Sequence, residues 1–315
     1  MPARRKVDNK LFQALLTEQW KPWRSWIKKA QARNCNLLVS HEALSRSLHQ
    51  VGTDLSTPRG VWLARKLRRC GWDLKVISFI RDQESYLNSR YTQLVKRLKI
   101  SSDFDTYVEN VIQGNTTSEC DMITLFGWLI GRRKIKRVMI PFQASKDQAG
   151  QEHHIQPDPF QQLINELLLP EEIIAHCKHT RSHNQQPGRL GVALALEINE
   201  FLTQHQPAVL KNYWKQLQQG IEHLAETQDW ATDPFNGLNR TIQQTIRNRY
   251  EASNAEFCRC FWPGMTWHEL FNSRRQDTDR TSTSCLEVAD ADLKPWRWEV
   301  LADILPPNMM NELPG

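Results

Sequence analysis

The sequence predicts an α/β fold: a small parallel sheet flanked by helices, followed by a largely helical C-terminal half. Short apolar runs at 36–40, 74–80 and 137–141 read as three strands, each feeding a helical pattern. From Pro159 onward helical periodicity dominates. The chain has 315 residues, of which 40% are apolar and 24% charged, which provides core for one large domain or two small ones and excludes disorder.

The elements follow in order. Leu11, Leu15, Leu16, Trp20, Trp23, Trp26 and Ile27 recur at helical spacing, with a break expected at Lys21-Pro22 because proline lacks a backbone donor. Asn36-Leu37-Leu38-Val39-Ser40 reads as a strand ending in His41-Glu42, and 43–50 as a brief helical turn. Val61 to Cys70 is a basic amphipathic helix carrying Arg65, Lys66, Arg68 and Arg69, stopped by Gly71. The clearest strand, 74–80, runs into Arg81-Asp82 and a helix from Gln83 to about Lys99, which is half of a βαβ unit. Asp103 to Val111 continues helical, and a third strand (137–141) follows the basic cluster Arg132, Arg133, Lys134, Lys136 and Arg137. After a polar connector (143–158), helices are expected at 159–169, 170–179, 189–204, 207–227 and 239–261. This gives one domain over 1–270, built of N-terminal helices (1–33), a sheet-forming part (34–142) and a helical part (159–262). A tail over 271–315 follows, partly mobile around Ser273 to Ser284 and closing on Trp296 and Trp298.

Composition narrows the function. A mean hydropathy of −0.59 and the lack of an 18-residue apolar run argue against a membrane span. The N-terminal residues MPARRKVDNK have no apolar core of a secretory signal, so a soluble, cytoplasmic protein is expected. Seven cysteines, at 35, 70, 120, 177, 258, 260 and 285, are odd in number and lack C-x-x-C spacing, which speaks for reduced thiols and against a cysteine zinc site. His176, Cys177, His179 and His183 lack a second ligand cluster, and no metal is expected. Charge is strongly asymmetric: residues 1–100 hold 21 Lys and Arg against 7 Asp and Glu, a net +14, and the rest nets −8. The basic front half points to an anionic partner.

Parallel sheets bind ligands at the carboxyl ends of their strands, which directs attention to Ser40-His41-Glu42, Arg81-Asp82 and Pro141-Phe142-Gln143. Arg81 closes a strand, and Ser89 lies eight residues later on the following helix, with Ser85 on the same face. A bidentate guanidinium, a hydroxyl and a helix N-terminus can converge on one phosphate.

LLVSHEALSR (37–46), LKVISFIRDQESYLNSRYTQLVKRLKISSDFDTYVE (74–109), RVMIPF (137–142) and RNRYEASNAEF (247–257) together resemble bacterial sulfotransferase-family proteins of the P-loop nucleotide-binding superfamily. The resemblance covers roughly residues 30 to 262 and is strongest over 74–109. It implies a sulfuryl donor, 3′-phosphoadenosine 5′-phosphosulfate, whose 3′-phosphate is held by Arg81 and Ser89. The acceptor would be a hydroxyl, most naturally of a carbohydrate. Glu42 is then the candidate general base and His41 the second. Family members begin with a strand and a Lys-Thr-Gly-Thr-like loop that holds the 5′-phosphosulfate. This sequence has a Trp-rich helix there and no Gly-rich Lys-Ser/Thr turn before residue 37. The resemblance therefore implies a truncated or a donor-incompetent relative, in either of which the part that neutralises the leaving phosphate is missing, with replacement of the lost strand by another segment as the third explanation. The family's Asn-x-Ser-like element reads Asn184-Gln185-Gln186 here, while Tyr250, Ser253 and Asn254 match a recurrent Tyr-x-x-Ser-Asn pattern. A non-catalytic remnant is one alternative. A basic nucleic-acid-binding protein is another: its twelve tryptophans permit base stacking, but no RNP-type, helix-turn-helix or zinc-finger pattern supports it.

Overall fold

A computed structural model describes residues 3–41, 43–52, 57–114, 119–142, 158–169, 171–176, 186–271, 290–310 and 313. In chain order the elements are α1 (Ala3–Leu16), α2 (Trp20–Ala32), α3 (Leu44–Leu48), α4 (Arg59–Arg68), β1 (Lys75–Ile80), α5 (Gln83–Lys96), α6 (Phe104–Gln113), α7 (Met122–Phe126) and β2 (Lys136–Pro141). There follow α8 (Pro159–Leu167), α9 (Glu171–His176), α10 (Gly188–His205), α11 (Pro207–Thr227), α12 (Arg240–Phe261), α13 (Trp267–Phe271), α14 (Asp290–Ile304) and α15 (Pro307–Met310).

Local chemistry explains most boundaries. The N-terminal helical break falls at 17–19 rather than at Pro22, because proline is tolerated in a first turn, where its missing N–H has no intrahelical partner. Glu18 takes the left-handed backbone that ends α1, at φ 55. At the end of α4, Gly71 has φ 79, its N–H donates to Arg68 O, and Trp72 N donates to Leu67 O. That is a Schellman closure, with no side chain filling the space where a Cβ would sit.

The described residues contain two strands, not three. β1 and β2 pair in parallel with Lys75 opposite Lys136 and Ile80 opposite Pro141. The segment 36–40 is irregular, and Leu38 is 67% exposed. Its apolar run looks like a strand, but a strand needs a neighbour to satisfy its backbone, and no described segment pairs with it. The N–H groups of Lys136 and Phe142 donate to Leu74 O and Ile80 O, so alternate β2 residues, Met139 and Pro141 among them, turn their backbones away from β1. Proline is harmless on that side. The Met139 carbonyl is capped there by Trp262 Nε1 at 2.9 Å. Trp262→Phe would leave this buried acceptor without its donor and is expected to cost about 1–2 kcal/mol, read as a lowered guanidinium midpoint.

The chain divides into two compact units. The first comprises Met1–Arg81, Ser118–Ile174 and Tyr250–Arg274. Its core joins Leu11, Leu15, Trp23 and Ile27 to the buried face of α4, to Ile80 and Met139 of the sheet, and to Phe257 and Phe271. The second comprises Asp82–Thr117, Ala175–Arg249 and Arg275–Gly315. There α10 packs on α5, α11 and α14, and Tyr91 stacks among Phe104, Tyr107 and Phe235. The C-terminal stretch, expected to lie outside the domain as a tail, supplies α14 to this unit, with Leu301 fully buried. Residues 272–289, which include Ser273 to Ser284, lie outside the described residues. No helix among the described residues is long and apolar enough to cross a membrane.

Candidate anion site at the carboxyl end of the sheet

Arg81 follows β1 and Phe142 follows β2. Since Ile80 is opposite Pro141, they form the next pair along the ladder. The Arg81 guanidinium sits 4.8 Å from the centre of the Phe142 ring, and Phe79, 44% exposed, meets that ring edge-on at 6.0 Å. A 2.7 Å bond from Phe142 N to Ile80 O fixes the ring's backbone. The cation–π contact restrains the long arginine side chain, which lowers the entropy cost of gripping an anion. Phe142 was readable in RVMIPF: an aromatic directly after one strand, in step with an arginine directly after the other.

Ser85 and Ser89, the sequence-predicted partners of Arg81, are half-buried on α5 and belong to the second unit, whereas Arg81 is the last residue of the first. The helix N-terminus expected to favour a phosphate already holds the protein's own carboxylates. Asp82, 9% exposed, caps α5 by accepting from Ser85 N at 2.9 Å. Glu84 in the first turn pairs with Arg247 at 2.7 Å. Both carboxylates use the positive end of the helix dipole, so its pull on an external anion is largely spent. One turn along, Asn88 is occupied by the 235–237 loop, donating to Phe235 O and accepting from Gly237 N.

Glu42 lies outside the described residues. His41 is placed as a turn former: its Nδ1 accepts from Ala43 N at 3.1 Å, and its ring stacks on Phe12 at 4.0 Å with 11° between the planes. In a neutral ring that bond occupies the Nδ1 lone pair.

The remaining candidates serve packing or fall outside the described residues. Ser253 donates to Asp121 Oδ1 at 2.5 Å, the same carboxylate oxygen that caps α7 through Thr124 N, and Asn254 is buried in α12. Burial pushes the Cys120 thiol up to about 12, with Glu119 and Asp121 adding to the effect and a hydrogen bond with Tyr250 opposing it. Burial, helped by Glu269, likewise raises Cys258 to about 11. Neither is a thiolate nucleophile at neutral pH. Cys177, His179, His183, Asn184 and Gln185 lie outside the described residues, and His176 ends α9. Among the described residues no three His, Cys, Asp or Glu side chains stand together as a metal cluster.

The chain matches no family model, no curated protein and no solved structure.

Proposed function

We propose that this is a sulfotransferase-related nucleotide-binding protein that takes 3′-phosphoadenosine 5′-phosphosulfate or its desulfated product, with Arg81 as the ligand of the 3′-phosphate. The observation that carries the reading is a guanidinium held over Phe142 at the carboxyl end of a parallel strand pair, where such sheets bind nucleotides. Arginine and an aromatic ring suit this ligand class, because one answers the phosphate and the other offers an apolar face. Ser85 and Ser89 join the reading through the sequence resemblance alone. The amide of Ser85 is committed to Asp82.

Within this reading, binding without turnover is favoured over sulfuryl transfer to a carbohydrate hydroxyl. The observation that favours it is that His41 is engaged with Ala43 and Phe12, which speaks against its service as a base.

Calorimetry with 3′-phosphoadenosine 5′-phosphate tests the assignment. Arg81→Ala is expected to weaken binding at least about tenfold, the loss of one charge-assisted contact. No binding by the unaltered chain, or equal binding by Arg81→Ala, sinks it. Arg81→Lys, which keeps the charge and loses the fork, is expected to fall between the two.

A further inference from the structure

The strongest feature the proposed site leaves unused is a concentration of cations at the other end of the sheet. The sequence spreads these residues over three stretches: the end of α2 (Lys29, Arg33), the end of α4 (Arg68, Arg69) and the turn before β2 (Arg133, Lys134). The first unit gathers all three. Gln31 of α2 donates to Cys70 O at 3.4 Å, and Arg68 of α4 reaches Lys134 O at 3.5 Å. Gly71 and Gly131, at φ 79 and 71, make the tight exits that bring the stretches together. Ile135, 6% exposed, anchors the second turn in the core. All six cations are exposed, and among the described residues none has a carboxylate in salt-bridge range. Asp73 is the only acidic residue along the three stretches.

Cations at helix ends complement the helix dipole, which accounts for those of α2 and α4. It does not account for Arg133 and Lys134. Like charges gathered at one end repel each other and lower stability, so their presence points to a ligand that neutralises them.

Resting on the sulfotransferase-related reading above, we propose that this end binds a polyanionic glycan. A phosphosulfate donor and a sulfated polymer belong to the same chemistry, and the basic end would hold a stretch of such a polyanion at a distance from the nucleotide site without any transfer by this chain. β1 is six residues long, so the two ends of the sheet lie about 20 Å apart. The surroundings argue for a glycan over the other polyanions. Trp26 and Trp72 are half-buried, and Lys29 covers the Trp26 ring at 4.9 Å, so among the described residues neither of these rings offers an open platform for stacking bases. α4 is buried along Gly60 to Ala64 and at Leu67, so it cannot lie in a DNA groove. Among the described residues the neighbouring exposed large apolar side chain is Ile130 alone, too little to anchor in a lipid surface.

The test uses the full chain and a heparin oligosaccharide, with a short DNA duplex and phosphatidylserine vesicles as comparison probes at the same ionic strength. Arg68→Glu with Arg133→Glu is expected to weaken heparin binding at least about tenfold and to flatten its salt dependence. Lys211→Glu with Arg240→Glu changes net charge equally on exposed positions of the second unit and is expected to change it less than about twofold. Circular dichroism checks that both variants are folded. Heparin affinity unaffected by the first pair, an equal loss in both pairs, or tighter binding of duplex or vesicles overturns the glycan assignment. Nucleotide calorimetry on the same variants separates the two readings: the Arg68/Arg133 pair leaves nucleotide binding intact, and a chain that binds heparin but no nucleotide sinks the Arg81 site alone.

Discussion

Arg297→Ala is expected to cost about 3–5 kcal/mol, because it breaks a buried ion pair. Arg297 on α14 donates from Nη1 to Glu197 Oε1 of α10 at 3.0 Å, with the side chains only 9% and 13% exposed. Its guanidinium also lies 4.2 Å from the ring of Phe201 and 5.1 Å from that of Trp298. Truncation removes the ion pair and both cation–π contacts, while Glu197 keeps its desolvation cost. If the damage comes from breaking the pair, Arg297→Met combined with Glu197→Leu restores most of the lost stability, since apolar replacement of a buried pair is often neutral. Chemical denaturation followed by far-ultraviolet circular dichroism reads both variants. A single variant within about 1 kcal/mol of the parent would show the pair to be solvated, in line with surface ion pairs.

Phe257→Ala is the counterpart in the first unit, with an expected loss of about 3–5 kcal/mol. The ring is fully buried and touches Phe126, Phe261, Trp262 and Trp267, at centroid distances of 6.1, 4.6, 5.1 and 6.2 Å. Four aromatic neighbours cannot collapse into the void without leaving their edge-on and tilted arrangements, so both cavity and transfer costs apply. Phe257→Leu, which refills most of the volume, is expected to lose less than half as much. Tryptophan fluorescence during denaturation reports on this cluster, since Trp262 and Trp267 belong to it. Equal losses for the Ala and Leu variants would contradict cavity formation as the cause.

How far the sequence could be read depended on whether an element is decided locally. LKVISFI announces β1 through its own β-branched and aromatic residues, and the boundaries of α10, α11 and α12 follow from periodicity and the Pro and Gly joints. The run 36–40 has the same local character, yet strand formation is a property of two segments, and its sequence does not show whether a partner exists. Pro22 carries a helix-breaking signal whose meaning depends on where the first turn begins, a fact fixed by the closure at Glu18. Arg81 stood out at its strand end. That its guanidinium would rest on Phe142 needed the register of β1 against β2, and the loss of the helix N-terminus to Asp82 needed only the N-cap preference of aspartate, which the sequence displayed. The basic end was visible as charge, but three separated stretches converge only through the exits at Gly71 and Gly131.

The chain passes from one unit to the other after Arg81, Thr117, Ile174, Arg249 and Arg274. Neither unit can be liberated by a single cut, and no contiguous fragment contains the whole of one unit without part of the other. During synthesis β1 must wait for β2 while the whole intervening stretch, α5 and α6 included, emerges. Pairing therefore carries the loop-closure cost of that whole stretch.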